Sequence, residues 1–485
     1  MKKLAFSVFR ILLMLFTSIG FVSCTEDDDA SRTVAPPDPI EFSVTPTTID
    51  FEAAGGESTF EITSGAEWNI SGGADWISLS AESGLETSDV VVTAEANEAT
   101  EERTATLTVS AENDTQEITV TQAAAEAPPA ETPEATIEPD ETGMRDLTSV
   151  ELANEMEIGW NLGNSLDAIG GETAWGNPRV NEQLIQSVKD AGFNAVRIPV
   201  AWSKFSDEEN FVITEEWMNR VEEVVNLVLD NNMYAIINIH WDNGWMQPTY
   251  DDEEYVNNRL EIMWQQIAIN FRDYDDRLLF AGTNEVMVEG DYGTPTEEYY
   301  TVQNGFNQTF VDAVRATGGR NHYRHLVAQG FNTNIDHTLN FAEIPEDIVN
   351  ERLMMEVHYY DPFNFTLNEE SNVYQWGDDA LESEDWANES YVDNQFDRMK
   401  TEFIDNGVGV ILGEYGAIAR PSVDGHEEYR QYYMEYVTES AIEHGLVPFY
   451  WDNGDEDAHG FAIFDRETGE VLYPNLLKAI VNRED

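Results

Sequence analysis

From residue 144 to residue 485 the chain repeats one pattern: a short apolar run followed by an amphipathic stretch roughly a dozen or more residues long. The apolar runs fall at 158–162, 194–200, 234–240, 278–285, 325–330, 353–360, 409–414 and 447–452. Amphipathic stretches between them include 181–191, 215–232, 254–272, 297–317, 391–406 and 427–443. Parallel strands need a long crossover, usually a helix, to join them. Eight strand-like runs with helices between them therefore predict an α/β fold, a (β/α)8 TIM barrel over 144–485.

Residues 40–124 have a different texture. Short alternating runs appear at Thr59-Phe60-Glu61-Ile62, Val90-Val91-Val92-Thr93, Thr104-Ala105-Thr106-Leu107-Thr108-Val109 and Glu117-Ile118-Thr119-Val120. These runs, separated by glycine, asparagine and aspartate, predict a small all-β Ig-like sandwich ahead of the barrel. Residues 125–143, rich in proline and glutamate, read as a stiff linker, and residues 24–39, acidic and then proline-rich, as an extended tether. The first 23 residues open on Met1-Lys2-Lys3, continue as a nearly unbroken apolar segment and end just before Cys24. That segment is short for a membrane-spanning helix and has the layout of a signal peptide.

Composition narrows the partners. With 94 acidic against 25 basic residues, the net charge of −69 opposes binding to phosphate backbones, which excludes nucleic acid and favours a neutral ligand. Cys24 is the sole cysteine, so no intramolecular disulfide or thiolate metal site can form. The twelve tryptophans are generous for a protein that contacts flat, apolar sugar faces.

The active site of a TIM barrel lies at the C-terminal ends of its strands, so polar residues closing apolar runs are the candidates. Arg197 lies in the second run, and His240 and Asn284-Glu285 close the third and fourth. His358 and Tyr360 close the sixth, Glu414 the seventh and Trp451 the eighth. Cleaving a glycosidic bond requires one carboxyl group to protonate the leaving oxygen and a second to attack or stabilise the sugar cation. Glu285 and Glu414 satisfy that requirement, with Glu285 as acid/base and Glu414 as nucleophile. Arg197 is expected to keep Glu414 ionised, and partial burial to raise the pKa of Glu285. Asn284 is a candidate partner for the sugar 2-hydroxyl, Tyr360 for the nucleophile, and Trp451 for the reacting ring.

Three resemblances extend this reading. The segment ending Phe21-Val22-Ser23-Cys24, followed by Thr25-Glu26-Asp27-Asp28-Asp29, resembles a bacterial lipoprotein signal with an acidic surface-export tag. It implies lipidation of Cys24 and display at the cell surface, anchored to the outer membrane of a Gram-negative bacterium. The phrases Ala66-Glu67-Trp68-Asn69-Ile70 and Ala74-Asp75-Trp76-Ile77-Ser78 resemble a BACON domain, for which a spacer role is expected, with Trp68 and Trp76 in its core. The barrel resembles glycoside hydrolase family 5, particularly subfamily 4, through Gly159-Trp160-Asn161-Leu162-Gly163-Asn164, Val196-Arg197-Ile198-Pro199, Ile239-His240-Trp241-Asp242, Thr283-Asn284-Glu285, Val357-His358-Tyr359-Tyr360 and Gly413-Glu414-Tyr415-Gly416. That resemblance implies catalytic roles for Glu285 and Glu414 and supporting roles for Arg197, His240, Asn284, His358, Tyr360 and Trp451. The chain departs from the family pattern at Val286, usually proline, and at Trp241, often a second histidine.

The expected activity is retaining endo-hydrolysis of β-1,4-glucan backbones. Xyloglucan is the alternative substrate, β-mannan a more distant one, and a non-catalytic glycan-binding protein the alternative class. Asn164, Trp175 and Trp245 are candidate substrate contacts. No cofactor is expected. No metal is expected either, because the His322/His325 pair lacks a common helix face and the acidic run 452–457 lacks the spacing of a calcium loop. A monomer acting on a β-glucan polysaccharide is the expected state.

Overall fold

The structure is a computed structural model whose described residues are 40–97, 99, 101–125 and 136–481. The signal segment, Cys24 and the acidic tether lie outside them. The chain divides into two compact units, Met1–Glu131 and Thr132–Asp485.

The larger unit is the expected barrel. Its strands are β1 (Gly159–Leu162), β2 (Ala195–Ile198), β3 (Tyr234–Asn238), β4 (Leu278–Ala281), β5 (Leu326–Asn334), β6 (Leu353–Tyr359), β7 (Gly409–Tyr415) and β8 (Leu446–Asp452). They pair in sequence order, and β8 returns to pair in parallel with β1, so the sheet closes. Helices cover the outer face, and almost every strand residue is buried, which is why the strands read as continuous apolar runs. The helices begin where capping side chains sit: Asn181, Thr296 and Asn388 each accept a backbone N–H from the first turn.

Strands β2, β3 and β4 end earlier than the apolar runs suggested. His240, Asn284 and Glu285 stand in the loops just beyond them, where the chain leaves the ladder and turns toward the barrel mouth. A short helix unmarked by the apolar periodicity, Ser149–Glu155, is held by a Thr148/Glu151 capping box. Its Leu152 and Ala153, with Met156 just beyond, join a buried cluster with Ala195, Ile236, Leu279, Val327, Met354, Ile411 and Val447 from the strands, closing the barrel at the end opposite the site.

The linker expected over 125–143 is shorter than that. Ile137–Pro139 forms a parallel strand with Gly318–Gly319, and Asp140 donates its N–H to Gly319, so this stretch belongs to the barrel unit. Proline is tolerated there because a two-stranded edge leaves alternate backbone donors unused.

The smaller unit packs a four-stranded sheet (Ser43–Thr45, Gly56–Thr63, Ser88–Ala94, Ile77–Leu79) against a five-stranded one (Thr48–Phe51, Asp114–Gln122, Arg103–Ala111, Trp68–Gly72, Ser83–Gly84). Alternate residues such as Phe60, Ile62, Val90, Val92, Leu107, Val109, Ile118 and Val120 form one core. Trp68 is buried in it and donates its indole N–H to the Glu86 carbonyl, while Trp76 packs at its edge beneath Arg103.

Candidate active site

Arg197, the third residue of β2, is fully buried, and a guanidinium in that position must be paired. Its Nη1 donates to Asn161 Oδ1 at 3.0 Å and to Glu414 Oε1 at 2.9 Å. Its Nη2 donates to Asn284 Oδ1 at 2.7 Å and pairs with Glu356 Oε1 at 2.8 Å. One cation from β2 thereby ties together residues of β1, β6, β7 and the loop after β4.

Glu414, near the end of β7, is buried and also accepts the Tyr360 hydroxyl at 3.2 Å. Burial pushes its carboxyl above the usual carboxylate range, while His358 and Arg197 pull it back. Arg197 favours the ionised form as expected, but His358 does so as well, and the two cations oppose a desolvation penalty to which the neighbouring Glu285 and Glu356 add. The Tyr360 phenol is held well above its ordinary value by burial and by Glu414 and Glu285, so it is a hydrogen-bond donor at working pH.

Glu285 differs. Its side chain is 42% exposed, so the burial expected around it is not supplied by the protein. Because it sits beyond the end of β4, it projects into the open cleft, held by His358 Nδ1 at 2.8 Å. A carboxylate oxygen of Glu285, one of Glu414 and a ring nitrogen of His358 all lie within 4.8 Å of one another. Burial alone would push His358 down, but Glu414, Glu285 and Glu356 outweigh it and raise the imidazole to about 9. It is therefore an imidazolium at neutral pH, its Nδ1 facing Glu285 and its Nε2 facing Glu356 Oε1 at 3.1 Å.

Glu356 was not among the residues picked out from the sequence, nor was Gln329, whose Nε2 donates to Glu356 Oε2 at 3.0 Å. A carboxylate inside the apolar run Leu353-Met354-Met355-Glu356-Val357-His358 was the available signal, two residues before His358 and so on the same face of the strand.

Around this charged floor stand the aromatic walls. Trp451 on β8 stacks against His240, with ring centroids 5.8 Å apart and planes 6° from parallel. Burial, Arg197 and His358 hold His240 far below its ordinary pKa, so it is neutral and its Nδ1 accepts from the Asn238 amide at 3.2 Å. Trp241 is 53% exposed and lines a recess of about 60 Å³ with His240, Met246, Glu285, Val286 and Met287. Three successive residues with positive φ, Asp242 (48°), Asn243 (68°) and Gly244 (68°), turn the chain behind it. Such strain persists only where the surroundings impose it. Here the buried Asp242 carboxylate imposes it, accepting the N–H groups of Trp202 and Ser203 and the indole N–H of Trp245.

Of the three candidate substrate contacts, Trp175 is 46% exposed and shares an open groove of about 660 Å³ with Asn164, Asn177 and Asn453. Asn164 borders that groove in a left-handed turn (φ 55°), its N–H bonded to Asp167. Trp245 is placed elsewhere: its indole is tied to Asp242 and covered by Arg259 at 4.4 Å, so Trp241, not Trp245, faces Glu285. In the acidic run, Asp452 is internal, accepting from Trp160, Arg466 and the Ile463 N–H.

Known proteins resemble this chain in sequence and fold. The profile of Cellulase (glycosyl hydrolase family 5) matches residues 161–457, and that of the BACON domain matches 66–123. A xyloglucan-specific endo-beta-1,4-glucanase of Bacteroides ovatus is 42% identical over 481 residues, 95% of this chain and 93% of its own. Endoglucanase A of Paenibacillus barcinonensis is 38% identical over 363 residues, 70% of this chain and 90% of its own. Among solved structures, the Bacteroides ovatus xyloglucanase in complex with a XXXG heptasaccharide superposes with a TM-score of 0.69 at 42% identity, covering 91% of this chain and 99% of that one. A GH5-4 broad specificity endoglucanase from Clostridium acetobutylicum gives 0.64 at 34% identity, covering 70% and 100%. The barrel, its paired glutamates and these likenesses together establish that the chain belongs to glycosyl hydrolase family 5, alongside its subfamily 4 enzymes, carries a BACON domain and is an endo-β-1,4-glucanase.

Proposed function

We propose that the barrel cuts the backbone of xyloglucan internally and with retention of anomeric configuration, Glu414 acting as nucleophile and Glu285 as acid and then base. The observation that carries this is the spacing and unlike surroundings of the two glutamates. Their nearest oxygens lie within 4.8 Å, close to the roughly 5–5.5 Å of retaining pairs and short of the roughly 6.5–9.5 Å that leaves room for an attacking water. Two cations, Arg197 and His358, face three carboxylates. Glu356 and Glu414 are buried against these cations, while Glu285, of the three, is open to the cleft where the leaving oxygen would sit.

In the first step Glu414 attacks the anomeric carbon while Glu285 protonates the glycosidic oxygen, and the bond to the leaving sugar breaks. In the second, Glu285 takes a proton from water, the hydroxide attacks the same carbon, and Glu414 leaves. Arg197 occupies Oδ1 of Asn284, so the amide N–H is the end offered to the sugar 2-hydroxyl. Trp451, backed by neutral His240, supports the reacting ring, and Trp241, beside the proton donor, flanks the leaving sugar.

Xyloglucan is favoured over unbranched glucans because the relative named for it matches across both units, while the endoglucanases match about 70% of the chain. The half-exposed Trp175 and Trp241 also leave the walls open to branches. Reducing-end release by the full chain from xyloglucan, barley mixed-linkage glucan, carboxymethylcellulose and glucomannan tests this. Preference for xyloglucan supports the reading, and equal or better activity on unbranched glucans replaces it with a general endoglucanase. Binding without hydrolysis of any of the four would leave only a glycan-binding protein. With Cys24 lipidated, the enzyme would work at the cell surface on polymer too large to import. Release of the protein from membranes by Cys24→Ala is the expected result, and unchanged retention would overturn it.

A further inference from the structure

We propose that Glu356 is a positioning residue for hydrolysis: its buried carboxylate bridges Arg197 and His358 and so fixes both cations that flank the catalytic glutamates. The proposal rests on the roles of Glu285 and Glu414 given above.

Glu356 lies wholly inside the barrel, so it touches neither substrate nor the reacting atoms. Its Oε1 meets Arg197 Nη2 at 2.8 Å and His358 Nε2 at 3.1 Å, and its Oε2 accepts from Gln329 at 3.0 Å. Gln329 is anchored in turn, its Oε1 accepting from the backbone N–H of Thr283 at 3.1 Å and from its hydroxyl at 3.2 Å. Thr283 immediately precedes Asn284 and Glu285. A chain of hydrogen bonds therefore runs from the loop that carries the acid/base, through Gln329 and Glu356, to the two cations beside the nucleophile.

The glycine before the nucleophile supports this. Gly413 does not have a positive φ, so its backbone conformation does not call for glycine. A Cβ there would overlap Oε1 of Glu356 and lie 2.6 Å from its Cδ. Gly413 is thus the space the buried carboxylate occupies, and the Gly413-Glu414 pair is a joint imprint of Glu356 and the nucleophile.

Without the negative charge of Glu356, Arg197 would have Glu414 as its one anionic partner and be drawn toward it, and His358 would lose the anion at Nε2. The charged and titratable groups facing His358 are Glu285 after β4, Glu414 on β7, Glu356 on its own strand and His240 after β3, with Arg197 and Tyr360 one carboxylate further away, on Glu356 and Glu414. Removing one anion from that set lowers the pH at which His358 gives up its proton and stops bridging toward both catalytic carboxylates.

The test uses the full chain with Glu356→Gln and Glu356→Asp, measured beside Glu285→Gln and Glu414→Gln. Expected for Glu356→Gln is a kcat on β-glucan lower by about 10- to 100-fold, KM changed less than about threefold, and a basic limb of the pH profile moved down by about one unit or more. Glu356→Asp, which keeps the charge, should restore the basic limb. A kcat within about threefold of wild type with an unmoved profile overturns the proposal. Should Glu356→Gln not fold, nitrogen-15 NMR of the histidines in the wild type decides: His358 protonated on both nitrogens at pH 7 supports the proposal, and a neutral ring overturns it. Activity surviving in Glu285→Gln or Glu414→Gln would instead overturn the catalytic assignment beneath it.

Discussion

The floor of the cleft and its walls follow opposite rules. On the floor, Arg197, Glu356, His358 and Glu414 are buried charges that satisfy one another through bonds of 2.8–3.1 Å, so the geometry exists before any sugar arrives. On the walls, Trp175 and Trp241 leave about half of their surface to solvent, so their apolar contact is made only when a sugar covers them. The BACON unit shows the same residue under the first rule: Trp68 is spent on its own core, and among the unit's described residues no aromatic side chain is exposed. A preorganised floor acts on the transition state, whereas a wall acts on binding, and substitutions should separate the two.

The largest effect belongs to the pair proposed to react. Glu414→Gln or Glu285→Gln should lower kcat by roughly 10³-fold or more while leaving affinity for β-glucan in gel electrophoresis intact. Loss of binding with activity would break the distinction. Next, Arg197→Met strands the buried Glu356 and Glu414, so urea unfolding should show the barrel destabilised by about 3–5 kcal/mol.

The floor should also make stability depend on pH. His358 rises on folding from an ordinary 6.5 to about 9, so its contribution is fully present below about 6.5 and is lost as pH rises through about 9. The urea midpoint should therefore fall between pH 6.5 and pH 9, and His358→Gln should flatten that slope.

A wall residue should do less. Trp241→Ala removes one stacking face, worth about 0.5–1.5 kcal/mol, so KM on polysaccharide should rise about two- to tenfold with kcat nearly constant. Aryl cello-oligosaccharides, which place no sugar on the leaving side, should be almost insensitive; parallel losses on both substrates would move Trp241 to the floor. Smallest of all, Trp76→Ala in the BACON unit should leave KM on every glucan unchanged, and a rise would give that unit a binding role.

Much of this is legible in the sequence. Eight apolar runs located eight strands, and polar residues closing those runs located Glu285, Glu414, Arg197, His358 and Tyr360 near one mouth, because a parallel barrel sends every C-terminal strand end to the same side. The helix Ser149–Glu155 was within reach through its Thr148-Ser149-Val150-Glu151 capping box but is too short to show periodicity. The strand at Ile137–Pro139 was not, since its partner Gly318–Gly319 lies far along the chain.

Sequence by itself determined the order of elements and the two glutamates, because backbone periodicity and strand ends are local properties. Tertiary structure alone decided which charges meet. Glu356 shares a face of β6 with His358 by local alternation but met Arg197 only when β6 was laid across the barrel from β2, Glu285 kept an open side chain because its loop leaves the ladder, and Trp241 took the cleft because Asp242 holds Trp245 away from it. Pairing across a closed barrel joins residues distant in the chain, and the direction of a side chain in a loop depends on neighbours that no local pattern names.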